Sequence, residues 1–115
     1  MFTARAEDRV AEEYREITFD KRELQVALRD YGTRTGRIEP GDGGAVGVEI
    51  TRRNEVEVKL SLETRRVTFN AEEITAALIL FASSLQMPVP RRAQKTLSAT
   101  RERVTLELRT HTPYV

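Results

Sequence analysis

An internal similarity at a spacing of 50 residues is the feature that most limits how this chain can fold. The stretch Ile17–Leu24 matches Val67–Ile74 in its order of chemical types, and the match extends across most of both halves. After a change of two residues in the spacing, Val56–Leu60 matches Val104–Leu108. Self-similarity of this kind indicates one supersecondary unit used twice. The alternative is two ordinary strand-to-helix junctions that look alike because the same capping chemistry acts on both.

Both copies contain the signature of a helix start. Asp20 is the predicted N-cap of the first helix, and Glu23 stands at N3, where its side chain can reach back to the cap. Asn70 and Glu73 repeat this capping box in the second copy. Each start contributes roughly 1–2 kcal/mol of local stability. The two helix N-termini are therefore the firmest local predictions from the sequence.

The helix ends follow from glycine and proline. We expect helix one to run from about Asp20 to Gly32, because glycine readily takes the left-handed conformation that ends a helix. We expect helix two to run from Asn70 to about Gln86, because Pro88 cannot continue it.

The remaining apolar residues alternate with polar ones, which predicts strands with one wet face. The alternation is clear in Val46–Ile50, Val56–Leu62 and Val104–Leu108, and a partner strand is expected around Lys95–Ala99. One wet face favours antiparallel pairing. The predicted fold is α+β: a two-layer sandwich with a mainly antiparallel sheet and two helices on one face, built from a duplicated strand-helix-strand-strand unit.

The predicted domain covers residues 17–110, with pseudo-repeats at 17–60 and 67–108. Residues 1–16 form either an extra amphipathic helix or a charged, partly disordered tail. Residues 111–115 are expected to be a frayed end.

The two predicted helices differ on their outer faces. Helix one carries Arg29 and Asp30, as a solvated helix should, whereas the matching positions of helix two are Ile79 and Leu80. Helix two already has a complete core stripe without them, made of Ile74, Ala77, Leu78, Phe81 and Leu85. A contiguous apolar patch left over on a surface usually marks a contact. Ile79 and Leu80 are therefore the candidate protein-interface residues.

Three hypotheses explain this apolar face. The N-terminal segment can fold over helix two, using Val10 and Tyr14. Helix two can pack on its symmetry mate in a homodimer, which is the commonest form of oligomer. The face can also receive a helix of another protein. We take the homodimer as the first hypothesis for function.

The C-terminal quarter of the chain is basic. Residues 91–115 contain six basic and two acidic residues, although the net charge of the whole chain is only +1. If the loops that carry these bases converge at one sheet edge, they make a phosphate-binding surface. The candidate nucleic-acid-binding residues are Arg91, Arg92, Lys95, Arg101 and Arg103. The alternative is a solvated basic face, which the lack of spare exposed aromatics favours.

Composition bears on the chemistry that this chain can perform. It has no cysteine, and its only histidine is His111, near the C-terminus, where nothing is expected to position it. We expect no enzyme activity, no cofactor and no metal site. The longest apolar run is far shorter than the roughly 20 residues of a membrane helix, and no export signal is visible, so we expect a cytoplasmic protein. The first prediction is a non-enzymatic homodimeric interaction module; the alternative is a nucleic-acid-binding domain.

Overall fold

Strands and helices follow each other in an order that occurs twice along the chain. The structure is a computed structural model, and it describes residues 10–113. Its elements are β1 (Val10–Asp20), α1 (Lys21–Arg34), β2 (Ala45–Arg52), β3 (Val56–Leu62), β4 (Arg66–Phe69), α2 (Ala71–Ser84), β5 (Gln94–Ala99) and β6 (Arg103–Pro113). A short 3-10 turn at Pro40–Asp42 precedes β2.

The strands form two three-stranded antiparallel sheets. The strand order is β1-β6-β5 in the first sheet and β2-β3-β4 in the second. The helices contact each other, and each helix contacts strands of both sheets. The predicted α+β class with antiparallel strands is thereby confirmed. Each sheet contains one strand from one half of the chain and two strands from the other half, so neither half completes a sheet without the other.

Strand pairing gives a second way to compare the two halves of the chain. Phe19 lies opposite Val104 in the first sheet, and Phe69 lies opposite Val58 in the second. With Phe19 matched to Phe69, Val104 corresponds to Val58. The sequence comparison instead matched Val104 with Val56, two residues earlier in β3. The common origin of the two halves stays a prediction, since equal element order does not establish it.

The predicted helix starts are confirmed in atomic detail. The Asp20 side chain accepts a hydrogen bond from the Glu23 backbone N–H at 2.9 Å, and the Asp20 N–H donates to the Glu23 carboxylate at 3.0 Å. Asn70 and Glu73 form the same pair of bonds at 2.9 and 3.0 Å. These bonds satisfy donors that the first turn of each helix leaves without a partner.

The first helix ends two residues later than predicted, at Arg34, and not at Gly32. Gly32 is buried inside α1, where a Cβ would lie only 2.5 Å from the Ile38 side chain. The glycine with a left-handed backbone is Gly36, with φ of 78°. Gly32 is therefore required for close packing, and Gly36 supplies the conformational freedom at the helix end.

A single apolar core joins the sheets and the helices. Its largest fully buried side chains are Phe19, Phe69, Leu24, Leu28, Leu60, Ile74, Leu78, Leu106, Val58 and Val104. Val46, expected on the apolar side of β2, is instead 64% exposed. A register shift between Ala45 and Gly47 leaves Val46 without a partner in β3 and turns it outward.

Both ends of the predicted domain are more ordered than expected. Residues 10–16 belong to β1, paired with β6, so neither the extra helix nor the disordered tail describes them. Likewise, residues 111–113 are strand, not a frayed end. The rest of those two segments lies outside the described residues. The structural reason is mutual pairing: each strand supplies the hydrogen-bond partners of the other over eleven residues.

A group of hydrogen bonds and an ion pair centred on Asp42 holds the segment after α1 against the β3–β4 turn. Asp42 accepts two hydrogen bonds from the Arg65 guanidinium, both at 2.9 Å, and a third from the Glu39 backbone N–H at 2.8 Å. The Thr64 hydroxyl donates to the same carboxylate at 3.2 Å. The guanidinium and these donors hold the pKa of Asp42 well below its usual range.

Candidate interaction surface

The two helices bury matched positions, so their differences on the outer face are informative. The buried residues are Leu24, Ala27, Leu28 and Gly32 in α1, and Ile74, Ala77, Leu78 and Ala82 in α2. Outside this stripe α1 carries half-buried Arg29 and exposed Asp30. At the matching places α2 carries half-buried Ile79 and Leu80, whose side chain is 40% exposed. The α2 helix thus presents apolar side chains to solvent where α1 presents charges.

Exposed apolar side chains are concentrated near the C-terminal end of α2 and in the residues just after it. Of the six large exposed ones in the described part of the chain, Leu80, Leu85 and Met87 lie within eight consecutive residues. Leu85 was expected in the core stripe but is 47% exposed. The helix ends at Ser84, so Leu85 is the C-cap and lies beyond the packed turns. We call Ala76, Ile79, Leu80 and Ser83 the α2 face.

A groove of about 580 Å³ adjoins the α2 face. Its walls are α2, strand β5 and the loop between β2 and β3. Its apolar lining consists of Val56, Ala71, Ala76, Ile79 and Leu97. Because Ala76 and Ile79 belong to both features, the groove and the α2 face form one continuous surface.

The charged residues that line the groove are balanced in sign. Arg52 and Lys95 contribute two positive charges, and Glu55 and Glu72 contribute two negative ones. Lys95 is half-buried, and its ammonium group donates to the backbone carbonyls of Arg91 at 3.3 Å and Ala93 at 2.8 Å. The groove is thus lined by apolar residues together with charged residues whose charges sum to zero.

The structure does not bring the five candidate nucleic-acid-binding residues together. Arg91 and Arg92 are exposed in the turn before β5, whereas Arg101 and Arg103 are exposed in and after the turn that follows it. A six-residue strand separates the two pairs by about 17 Å along its axis. Lys95 points its ammonium group into the first turn, where it contacts the backbone. The two basic pairs therefore occupy opposite ends of the β5–β6 hairpin.

Tyr14 lies on the first sheet, and not over α2 as expected if the N-terminal segment folds over that helix. Its hydroxyl group lies 2.5 Å from a Glu16 carboxylate oxygen and 2.8 Å from a Glu107 oxygen, and the Arg109 guanidinium lies 5.6 Å from its ring centre. These two carboxylates raise the pKa of Tyr14 well above its usual value. Tyr14 is thus occupied by neighbours on β1 and β6. The Val10 side chain and residues 1–9 lie outside the described residues.

Ionisable side chains of the described residues lie at the surface. Between residues 12 and 111, no polar or charged residue is buried. His111, on β6, is exposed and lies opposite Glu12. No group of three or more His, Cys, Asp or Glu residues within 10–113 is arranged to hold a metal ion. Neither α1 nor α2, the two α-helices of that range, has the length and apolarity that crossing a membrane requires.

Comparison of the chain with protein-family models, with curated proteins and with solved structures finds no match.

Sequence reasoning identified Ile79 and Leu80 but missed the rest of this surface. Ala76 lies four residues before Leu80, so helical periodicity alone could have found it. The contributions of Leu97 and the β2–β3 loop depend on tertiary packing, and no local signal marks them.

Proposed function

We propose that this protein is a non-enzymatic interaction module that forms a homodimer through the α2 face and the adjoining groove. The observation that carries the proposal is the exposure of Leu80 beside half-buried Ile79, where the matched positions of α1 are Asp30 and Arg29. An exposed apolar patch next to a groove is typical of a protein-contact site.

The balanced charges favour a second copy as the partner. In a two-fold symmetric dimer a surface meets itself, so it must be complementary to itself. The charges of Arg52, Lys95, Glu55 and Glu72 sum to zero, so a second copy of this surface would bring no net like charge against it. A nucleic acid would instead place its phosphates near both carboxylates, which costs affinity. The separation of the two basic pairs also favours protein contact over the nucleic-acid hypothesis.

The exposed apolar side chains indicate a dimer of modest affinity. If the contact extends beyond the α2 face to Leu85 and Met87, complete burial of their exposed parts and that of Leu80 in both copies would contribute roughly 4–7 kcal/mol, at about 1.5–3 kcal/mol per whole side chain. Association costs about 4–15 kcal/mol in lost freedom of motion. Ile79 and the groove must supply the remainder. The gain from these side chains and the cost of association are of similar size, so we expect a weak dimer.

The test is a charge placed on the α2 face. We expect Leu80→Glu to convert the dimer to a monomer in sedimentation velocity, while circular dichroism shows the fold intact. The matched control is Val26→Glu, because Val26 is 54% exposed on the outer face of α1. The control should leave the dimer unchanged.

Equal dissociation by both variants would refute the proposal, because the effect would then come from added charge alone. A monomeric parent chain at all concentrations would also overturn it and would leave a different protein, or a nucleic acid, as the partner. Unfolding of the Leu80→Glu variant would show that Leu80 belongs to the core. The exposure of Leu80, on which the proposal depends, would then no longer support a contact site. In that case Leu80→Ala should leave the sedimentation of the folded chain unchanged.

A further inference from the structure

Resting on the proposed homodimer, we infer that two α2 helices pack antiparallel, with the two-fold axis between Ile79 and Leu80. The two copies would then place Ile79 of one helix opposite Leu80 of the other. Ala76 of each copy would lie opposite Ser83 of the second copy.

The spacing and size of the residues on the α2 face carry this inference. Ala76, Leu80 and Ser83 stand at positions i, i+4 and i+7 of the helix, so they share one side of it. Ala76 is half-buried and Ser83 is exposed. Two small side chains seven residues apart, on either side of a bulky pair, match the heptad spacing of paired helices. Small residues opposite each other at both flanks let the helices approach until the central pair is in contact.

Charge selects the antiparallel orientation. Glu72 is exposed in the first turn of α2, one turn before Ala76. A parallel pair would bring the exposed Glu72 carboxylates of the two copies close together, and these like charges repel each other. An antiparallel pair places each N-terminus near the C-terminal end of the other helix, where the dipoles attract. The last turn of α2 carries no acidic side chain, so Glu72 would meet no second carboxylate there, and only the smaller partial charge of the helix C-terminus would oppose it.

The absence of cysteine from the chain allows a direct test by disulfide cross-linking. Two variants, Ala76→Cys and Ser83→Cys, are oxidised separately and as an equimolar mixture, with the full chain otherwise unchanged. In the antiparallel register, like sites in the two copies are about 10 Å apart along the helix axis, beyond the 7 Å limit between Cα atoms. We expect the mixture to yield a cross-linked heterodimer at least about tenfold more efficiently than either variant alone. Val26→Cys and Thr33→Cys, the matched pair on α1, measure the background from random collision.

Each other outcome contradicts a stated part of the account. Efficient self-linking of the single variants would establish a parallel pair and overturn the inference. If sedimentation shows a dimer but cross-linking stays at the background level, the dimer interface lies elsewhere. That result would overturn the antiparallel register and the proposal that the α2 face forms the interface. A monomer in sedimentation would overturn the homodimer itself. The sedimentation result therefore separates failure of the register from failure of the proposed function.

Discussion

Gln86 follows α2 with the same left-handed backbone that Gly36 adopts after α1. Their φ angles are 60° and 78°, and each residue stands two positions past the last residue of its helix. Residues with a Cβ disfavour this region, and glycine does not. The two helices thus end with the same geometry, but α2 ends at an energetic cost that α1 avoids.

Exchanging these residues tests that cost. We expect Gln86→Gly to raise the free energy of unfolding by about 0.5–1 kcal/mol, because it relieves the backbone strain. Gly36→Ala should lower it by about 1 kcal/mol. A Cβ at position 36 would have no heavy atom of another residue within 4 Å, so its effect reports backbone conformation alone. Urea unfolding measures both changes, and a destabilising Gln86→Gly would refute this explanation.

Local chemistry determined what the sequence could predict. The capping boxes at Asp20 and Asn70 were found because every group in them lies within four residues. Gly32 was misassigned because, in sequence, a glycine near a helix end can be either a C-cap or a close-packing position. Only its contacts with Ile38 and Phe69 in the folded chain show that it is a packing position.

Long-range pairing determined what the sequence could not predict. Glu12 and Glu13 lack the apolar alternation of a half-buried strand, but they are strand residues because β6 pairs with them from about 100 positions away. The groove has the same origin, since α2 meets β5 and the β2–β3 loop only in the folded chain. The exposed face of Leu80, by contrast, followed from comparing two stretches of sequence.

The Asp42–Arg65 ion pair should make stability depend on pH in the acid range. The folded-state pKa of Asp42 is lowered, chiefly by Arg65, so its charge stabilises the fold above the ordinary carboxyl pKa of about 3.9. That contribution is lost as the pH falls towards the folded-state pKa. We expect the parent chain to exceed Asp42→Asn in free energy of unfolding at pH 6, and this difference to shrink by pH 3. A difference that stays the same at both pH values would contradict the assignment.

The separation of the basic residues predicts a shallow salt dependence for any binding to oligonucleotides. One site that combined all five candidates would neutralise about four to five phosphates, with a log–log slope of about −3 to −5. Each pair at one end of the β5–β6 hairpin can neutralise only about two, which gives a slope near −2. Fluorescence anisotropy at several salt concentrations measures the slope. A value of −4 that both Arg91→Gln/Arg92→Gln and Arg101→Gln/Arg103→Gln reduce would support one shared site instead.

Sedimentation equilibrium of the unaltered chain tests the central claim most directly. The measurement should span about 10 μM to 1 mM, the range in which a dimer of modest affinity assembles. If the α2 face joins two copies, the weight-average mass rises with concentration from the 13.1 kDa of one chain towards twice that value. A mass that stays at 13.1 kDa throughout the range would contradict the homodimer.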